Sequence, residues 1–210
     1  MASMSTQIAS SSLATPQWTY EVFLSFRGED TRNGFTSHLY TALKQNGIFT
    51  FKDDEKLKRG KSISPELLKA IEESRFAIVI LSRNYASSTW CLDELAKVIK
   101  CMKETGMKVL PVFYKVEPSD IRRQSGPFAQ DFDEHEKHFK ENMEKVQTWR
   151  DALREVANLS GWYLQNRYLN SPYLFLLKCF EKIISIDSMD HNINKIWTRY
   201  MLCLIRAHHI

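Results

Sequence analysis

The chain has 210 residues, of which 43% are apolar and 26% are charged, and its formal net charge is +4. This composition is typical of a globular protein with one domain-sized core, and the small, dispersed charge gives no indication of nucleic-acid binding. The longest unbroken apolar run near the C-terminus, YMLCLI, is too short to span a membrane. The four cysteines lack metal-ligand spacing, which favours reduced thiols in a cytoplasmic or nuclear protein.

The first fifty residues predict a leader followed by a strand, a helix and a second strand. Residues 1–17 are rich in serine, threonine and alanine and lack arginine, so we expect a disordered leader there. The apolar run YEVFLSF at 20–26 predicts a strand, and RGEDTRNG at 27–34 predicts a polar turn. A helix is predicted at 35–47, and IFTF at 48–51 predicts the second strand.

The middle of the chain continues this alternation. After a long charged loop, Ser64 is a candidate N-cap for a helix at 65–74 that has proline at its first position. FAIVILS at 76–82 is apolar throughout, as expected of a strand that is buried on both faces. SSTWCLDELAKVIKC at 87–101 predicts an amphipathic helix that begins just after its two serines.

The remaining elements complete an α/β pattern. MKVLPVFYKV at 107–116 predicts a fourth strand, the segment 117–128 a loop, and 128–159 a helical region. GWYL at 161–164 predicts a fifth, short strand. Five alternations of strand and helix without a hairpin signal predict a flavodoxin-like, five-stranded parallel sheet with helices on both faces.

A change of composition near Tyr168 divides the chain into a main domain and a tail. We therefore predict a domain at 18–167 and an apolar C-terminal tail at 168–210. Within the tail, Ser171 as N-cap and the proline that follows it favour a closing helix at 172–186.

A ligand is expected at the carboxyl edge of such a sheet, because open parallel sheets bind ligands outside the carboxyl ends of their strands. The loops predicted there carry cations, acids and one aromatic–acid pair, which suits a phosphate-bearing ligand with flat rings. A solvated charged surface explains the same composition equally well. The residues concerned are Arg27, Glu29, Asp30, Arg32, Asp53, Lys58, Arg59, Lys61, Trp90 and Glu94.

Several catalytic and cofactor motifs are excluded by the sequence. RGKS at 59–62 resembles the end of a P-loop, but position 55 is glutamate where that motif needs glycine. No dinucleotide-binding glycine fingerprint follows the first strand, and neither G-x-S-x-G nor H-E-x-x-H occurs. Cys91 at a helix N-terminus could have a lowered pKa, although a buried hydrophobic role is favoured.

Three blocks of sequence together resemble one family. FLSFRGEDTR at 23–32, SSTWCLDEL at 87–95 and PVFYKVEPSD at 111–120 are similar to plant TIR (Toll/interleukin-1 receptor) domains, which head disease-resistance receptors. The resemblance extends over residues 18–165, and the family's fold agrees with the strand–helix count. It implies an enzyme of innate immune signalling that cleaves NAD⁺ between nicotinamide and ribose when self-associated. The products are ADP-ribose-type signals, including cyclic forms.

The same resemblance assigns candidate site residues. It implies that Glu94 is catalytic and that Trp90 lies close to the reacting sugar, with NAD⁺ as substrate and neither cofactor nor metal required. Ser37 and His38 would form a contact with another TIR domain, where a plain surface helix is the alternative. The further residues that it implies for NAD⁺ binding are Arg27, Gly28, Glu29, Asp30, Thr31, Arg32, Asn33, Gly34, Asp53 and Ile63.

Two expectations concern the adjacent acids of this helix. The nearby helix N-terminus favours the ionised form of Glu94. Asp93 is predicted to be a solvated acid at the helix start. Whether Glu94 acts as a nucleophile or as an electrostatic stabiliser is left open by the sequence.

The chain also departs from the family's pattern. It contains neither the P-loop of a nucleotide-binding domain nor leucine-rich repeats, and its tail replaces the polar final helix that the family usually has. A TIR-only protein is therefore expected. These departures keep a second hypothesis open, namely a non-enzymatic adaptor or decoy that binds other TIR-domain proteins.

Overall fold

The computed structural model describes residues 18–53 and 64–164, which form a parallel α/β fold. The predicted leader, the predicted tail and Ile63 lie outside these residues. All strand pairs are parallel, and the order β2-β1-β3-β4-β5 is that of flavodoxin-like folds, which confirms the predicted fold class. The strands are β1 (Tyr20–Phe26), β2 (Thr50–Lys52), β3 (Ser74–Leu81), β4 (Lys108–Tyr114) and β5 (Trp162–Leu164).

The described helices alternate with these strands. A segment kinked at Gly34, Arg32–Thr36, joins the first two helices. None of the helices within 18–53 and 64–164 has the length and apolar character that crossing a bilayer requires. The helices are α1 (Gly28–Thr31), α2 (Ser37–Gln45), α3 (Pro65–Glu72), α4 (Thr89–Thr105), α5 (Pro118–Arg123), α6 (Pro127–His138) and α7 (Met143–Asn158).

Two helix starts lie where the sequence predicts them. Ser64 Oγ accepts a hydrogen bond from the backbone N–H of Leu67 at 3.2 Å and caps α3. Ser88 Oγ accepts one from the N–H of Cys91 at 3.3 Å and caps α4. Each cap satisfies a backbone donor that has no partner within the first turn of a helix. The second cap fixes where α4 begins, after the loop 82–88 that follows the carboxyl end of β3.

The alternation of side chains along β1 decides which residues reach the site. Val22, Leu24 and Phe26 belong to the core on the α2 side of the sheet. Phe23 belongs to the core on the other side, which includes apolar residues of α3 and α4. Because successive side chains of a strand point to opposite faces, Ser25 lies on the same face as Phe23, toward α4.

Two predicted irregular segments are wrong, because both are helical. RGEDTRNG contains α1 and the start of the kinked segment Arg32–Thr36, and buried Thr36 donates a hydrogen bond to Thr31 Oγ1 at 2.8 Å. The predicted loop 117–128 contains α5 and the start of α6, and each of these helices has proline at its first position. Proline fits there because that position needs no N–H. The predicted helical region 128–159 is two helices, since Asn142 caps α7 as a new helix.

Candidate active site

Glu94 is a buried acid at the carboxyl edge of the sheet. It lies in the second turn of α4 and is only 5% exposed. Ser25, near the carboxyl end of β1, donates a hydrogen bond from Oγ to Glu94 Oε2 at 2.8 Å. The helix therefore directs this carboxyl group into the molecule, above the point where β1 ends, and a solvated surface role for Glu94 is excluded.

The environment of Glu94 favours its neutral form. Burial raises the pKa of Glu94 from 4.5 to about 8, and nearby Asp53 also raises it. The Ser25 hydrogen bond and Arg32 lower the pKa without offsetting burial. The predicted effect of the helix N-terminus, which favours ionised Glu94, is therefore smaller than the effect of burial. Glu94 lies beyond the first turn, where the helix dipole has its effect, and the loss of water around the carboxylate outweighs it.

Trp90 lies one turn before Glu94, as the spacing predicts, and its indole N–H approaches the carboxyl group. The approach lowers the pKa of Glu94, but its geometry falls short of a hydrogen bond, so Trp90 Nε1 is buried without an acceptor in the part of the chain that the structure describes. Arg27 Nε at the end of β1 is likewise buried without an acceptor among the described residues. Buried donors are rarely left unpaired in folded proteins, so these two are candidates for hydrogen bonds to a ligand.

Arg27 and Arg32 bring positive charge to the same edge. Arg27 forms an ion pair with exposed Glu29 at 2.7 Å, and its side chain is mostly buried. Arg32 Nη1 donates to the backbone oxygen of Asp53 at 2.8 Å, and its guanidinium lies 5.0 Å from the centroid of the Phe26 ring. These contacts link the segment after β1 to the end of β2. The two cations are held where an anionic ligand at this edge would lie.

Other members of the predicted binding segment have structural partners. Asp30 accepts hydrogen bonds from Ser82 Oγ at 2.6 Å and from the backbone and side chain of Asn84, both at 2.9 Å. Thr31 is buried and donates to the carbonyl oxygen of Arg27 at 3.3 Å. The Asp30 contacts hold the segment after β1 against the loop after β3. A direct part of Asp30 or Thr31 in substrate binding stays a prediction.

The remaining predicted residues lie along the same surface or on α2. A Cβ atom at Gly28 would lie 3.0 Å from the Arg32 guanidinium, so the absence of a side chain allows that cation to pack against the backbone. Asn33 is exposed. Ser37 is half-buried and donates a hydrogen bond to the carbonyl oxygen of Arg32, whereas His38 is exposed on α2. Their contact with another TIR domain stays a prediction.

Asp93 differs from its prediction as a solvated acid. Its Oδ1 accepts a hydrogen bond from Trp149 Nε1 at 2.8 Å, and its Oδ2 lies 3.1 Å from Lys145 Nζ. Both partners belong to α7, which packs against α4. The interaction satisfies the indole N–H of a tryptophan that is only 1% exposed. Asp93 therefore joins two helices, while its neighbour Glu94 points toward the sheet edge.

Sequence reasoning did not identify Ser25 and Tyr85, which contact each other next to Glu94. Ser25 Oγ and Tyr85 Oη lie 2.8 Å apart, and both side chains are fully buried. A polar residue inside the apolar run VFLSF was the available signal for Ser25. Cys91 is buried, and burial raises the pKa of its thiol to about 12, which confirms its predicted role as a core residue. The residues described here contain no cluster of acidic, histidine and cysteine side chains suited to a metal ion.

Comparisons with known proteins agree with this architecture. The TIR domain family model matches residues 19–177. Disease resistance protein RPV1 of Vitis rotundifolia is 55% identical over 173 residues, which cover 80% of this chain and 12% of the relative. TMV resistance protein N of Nicotiana glutinosa is 54% identical over 151 residues, which cover 72% of this chain and 13% of the relative.

A solved structure matches at the level of the backbone. It shows the TIR domains of the activated Roq1 resistosome, which directly recognises the pathogen effector XopQ, and it shares 51% identity with a TM-score of 0.71. The match covers 79% of this chain and 99% of that one. The chain spans only 12% and 13% of the length of the two resistance proteins. By sequence and by fold, this chain belongs to the TIR domain family, with close relatives among plant disease resistance proteins.

Proposed function

We propose that this TIR domain cleaves NAD⁺ at the bond between nicotinamide and ribose and so produces ADP-ribose-type signals, including cyclic forms, in plant immune signalling. The observation that carries the proposal is the buried carboxyl group of Glu94 at the ligand-binding edge of the sheet. Within residues 18–53 and 64–164, no ion pair offsets the charge of this acid. A buried acid that retains a strongly raised pKa without such compensation is typical of a functional site.

The groups around Glu94 fit the chemistry of this reaction. The bond between the ribose carbon and the nicotinamide nitrogen breaks, and its electron pair leaves with nicotinamide, which departs neutral and needs no general acid. The sugar develops oxocarbenium character, which an ionised carboxylate stabilises. When water adds to that carbon it releases a proton, so that NAD⁺ and water give ADP-ribose, nicotinamide and H⁺. In the cyclic product, a nucleophile of the same molecule takes the place of water.

The remaining edge groups supply binding rather than chemistry. Arg27 and Arg32 offer cations for the diphosphate, and Arg27 Nε is a buried donor that has no acceptor within 18–53 and 64–164. Trp90 offers an aromatic face and a second unpaired donor beside the carboxyl group. The positive charge of the bound nicotinamide ring favours ionisation of Glu94, so substrate binding itself prepares the carboxylate.

Activity is proposed to depend on self-association. The solved relative is a resistosome, an assembly that contains several TIR domains. Exposed His38 and half-buried Ser37 on α2 are our candidates for the contact between two such domains. The proposed setting is the cytoplasm or the nucleus, where NAD⁺ and other TIR-domain proteins are available.

Nicotinamide release tests the proposal. The purified protein, concentrated to favour assembly, is incubated with NAD⁺, and nicotinamide and ADP-ribose-type products are separated by chromatography. Glu94→Ala is expected to reduce the rate by a factor of roughly 10² to 10³, as expected for the loss of one electrostatic stabiliser. Glu104→Gln, which removes an exposed acid from the same helix, is the matched control and should retain the wild-type rate.

Two results would contradict the proposal in different ways. An assembled wild-type protein that releases no nicotinamide is not an NAD⁺-cleaving enzyme, and the adaptor or decoy hypothesis then takes its place. Release that persists in Glu94→Ala leaves the activity in place but removes Glu94 from the catalytic role.

A further inference from the structure

We propose that Ser25 and Tyr85 are positioning residues that orient Glu94 and set its protonation through a buried chain of hydroxyl groups. This inference rests on the proposed function for its meaning, although the chain of hydrogen bonds can be tested without substrate. Neither residue was among those that sequence similarity assigns to the site. Both act through Glu94 and are not themselves catalytic residues.

This hydroxyl chain consists of three consecutive hydrogen-bonding contacts. Glu94 Oε2 lies 2.8 Å from Ser25 Oγ, which lies 2.8 Å from Tyr85 Oη. Tyr85 Oη lies 3.1 Å from the carbonyl oxygen of Cys91, one turn before Glu94 on α4. Ser25 and Tyr85 are fully buried, so neither hydroxyl group can exchange these partners for water.

The number of hydrogen atoms in the chain depends on Glu94. Each hydroxyl group has one hydrogen to donate, and the carbonyl oxygen of Cys91 can only accept. When Glu94 is ionised, two hydrogens serve three contacts, and Tyr85 must donate either to Ser25 or to Cys91. When Glu94 is protonated, all three contacts are filled in one direction, from Glu94 to Ser25 to Tyr85 to the carbonyl group. Tyr85 therefore favours protonated Glu94 by one filled contact, whereas the charge-assisted hydrogen bond from Ser25 favours the carboxylate.

The other groups that face Glu94 do not replace this chain. Arg32 from the segment after β1 and Asp53 from the end of β2 act on the carboxyl group with opposite signs. Cys91 on α4 stays a neutral thiol, and burial raises the pKa of Tyr85 well above its ordinary value, so the phenol stays protonated. Because the chain ends at a buried carbonyl group, the proton of Glu94 must leave on the ligand side.

The two hydroxyl groups have opposite effects on Glu94. Ser25→Ala removes the donor that supports the carboxylate, so the pKa of Glu94 should rise. When Glu94 is protonated, Tyr85 accepts the hydrogen of Ser25. Tyr85→Phe removes this acceptor and leaves the Ser25 hydrogen to Glu94 alone, so the pKa of Glu94 should fall. One neutral hydrogen bond corresponds to a shift of about 0.5–1 pH unit in either direction.

Carbon-13 NMR measures this pKa directly. The 210-residue chain is labelled at the glutamate side-chain carboxyl carbons, the Glu94 resonance is assigned by its loss in Glu94→Gln, and its shift is followed between pH 4 and pH 10. Wild type, Ser25→Ala and Tyr85→Phe are compared with Tyr163→Phe, which removes a phenol from β5 that binds Glu117 instead. Relative to the wild type, we expect the pKa of Glu94 to rise in Ser25→Ala, to fall in Tyr85→Phe and to stay unchanged in Tyr163→Phe.

The outcome separates this inference from the proposed function. Equal pKa values in all variants, or shifts of the same sign for Ser25→Ala and Tyr85→Phe, would overturn the chain. If Ser25→Ala fails to fold, Tyr85→Phe decides alone, because only a downward shift agrees with the hydrogen count. The pH at which nicotinamide release begins should move in the same directions, whereas a merely structural role would lower the rate without moving that pH. A wild type that releases no nicotinamide would refute the enzyme but leave the NMR result valid.

Discussion

Replacing Glu94 with glutamine should make the stability of this domain less dependent on pH. The substitution keeps an oxygen that accepts the Ser25 hydrogen bond but removes the ionisable group. Burial raises the pKa of Glu94 from 4.5 to about 8, so the folded protein binds this proton more tightly than the unfolded chain. The contribution of Glu94 to stability is therefore complete below pH 4.5 and is lost as the pH rises through about 8.

The size of the effect follows from these two pKa values. Between pH 5 and pH 8 the wild type should lose about 3–4 kcal/mol of unfolding free energy relative to Glu94→Gln. Urea unfolding at pH 5, 6, 7 and 8, followed by tryptophan fluorescence, measures both curves. Glu104→Gln controls for the loss of any acid from α4 and should parallel the wild type. Parallel curves for the wild type and Glu94→Gln would refute the reasoning, because they would mean that the buried acid has an ordinary pKa.

Two further substitutions test the packing around the site. Asp93→Ala leaves the buried indole N–H of Trp149 without its acceptor and should cost about 1–3 kcal/mol in urea unfolding. Lys145→Ala removes only the partly exposed ion pair and should cost less than about 1 kcal/mol, so equal losses would contradict the role given to the indole. Gly161→Ala places a Cβ atom 2.5 Å from the carbonyl oxygen of Pro111 and should cost about 1–3 kcal/mol. An unchanged melting temperature in that variant would show that β5 can move away from β4.

The pattern of the sequence was sufficient for the five strands and their parallel arrangement, because buried parallel strands are short apolar runs with polar ends. It was insufficient for 27–34 and 117–128, which are polar and contain glycine or proline, as loops usually do. The helices there depend on contacts that local sequence does not reveal. The bond between Thr36 and Thr31 is one such contact, and the burial of Ile121 in α5 is another.

The sequence by itself determined the family, the parallel α/β fold and the choice of Glu94 as the acid to test first. Only the tertiary structure decided the state of that acid, because its pKa depends on how much water the surrounding elements exclude. It also gave two adjacent acids different contacts, because their side chains leave α4 in different directions. Asp93 contacts α7, whereas Glu94 contacts Ser25. The buried hydrogen bonds join Ser25 to Tyr85, which lies 60 positions later in the sequence, and to Glu94, which lies 69 positions later. No local pattern encodes such a contact, because it exists only after β1 and α4 have packed together.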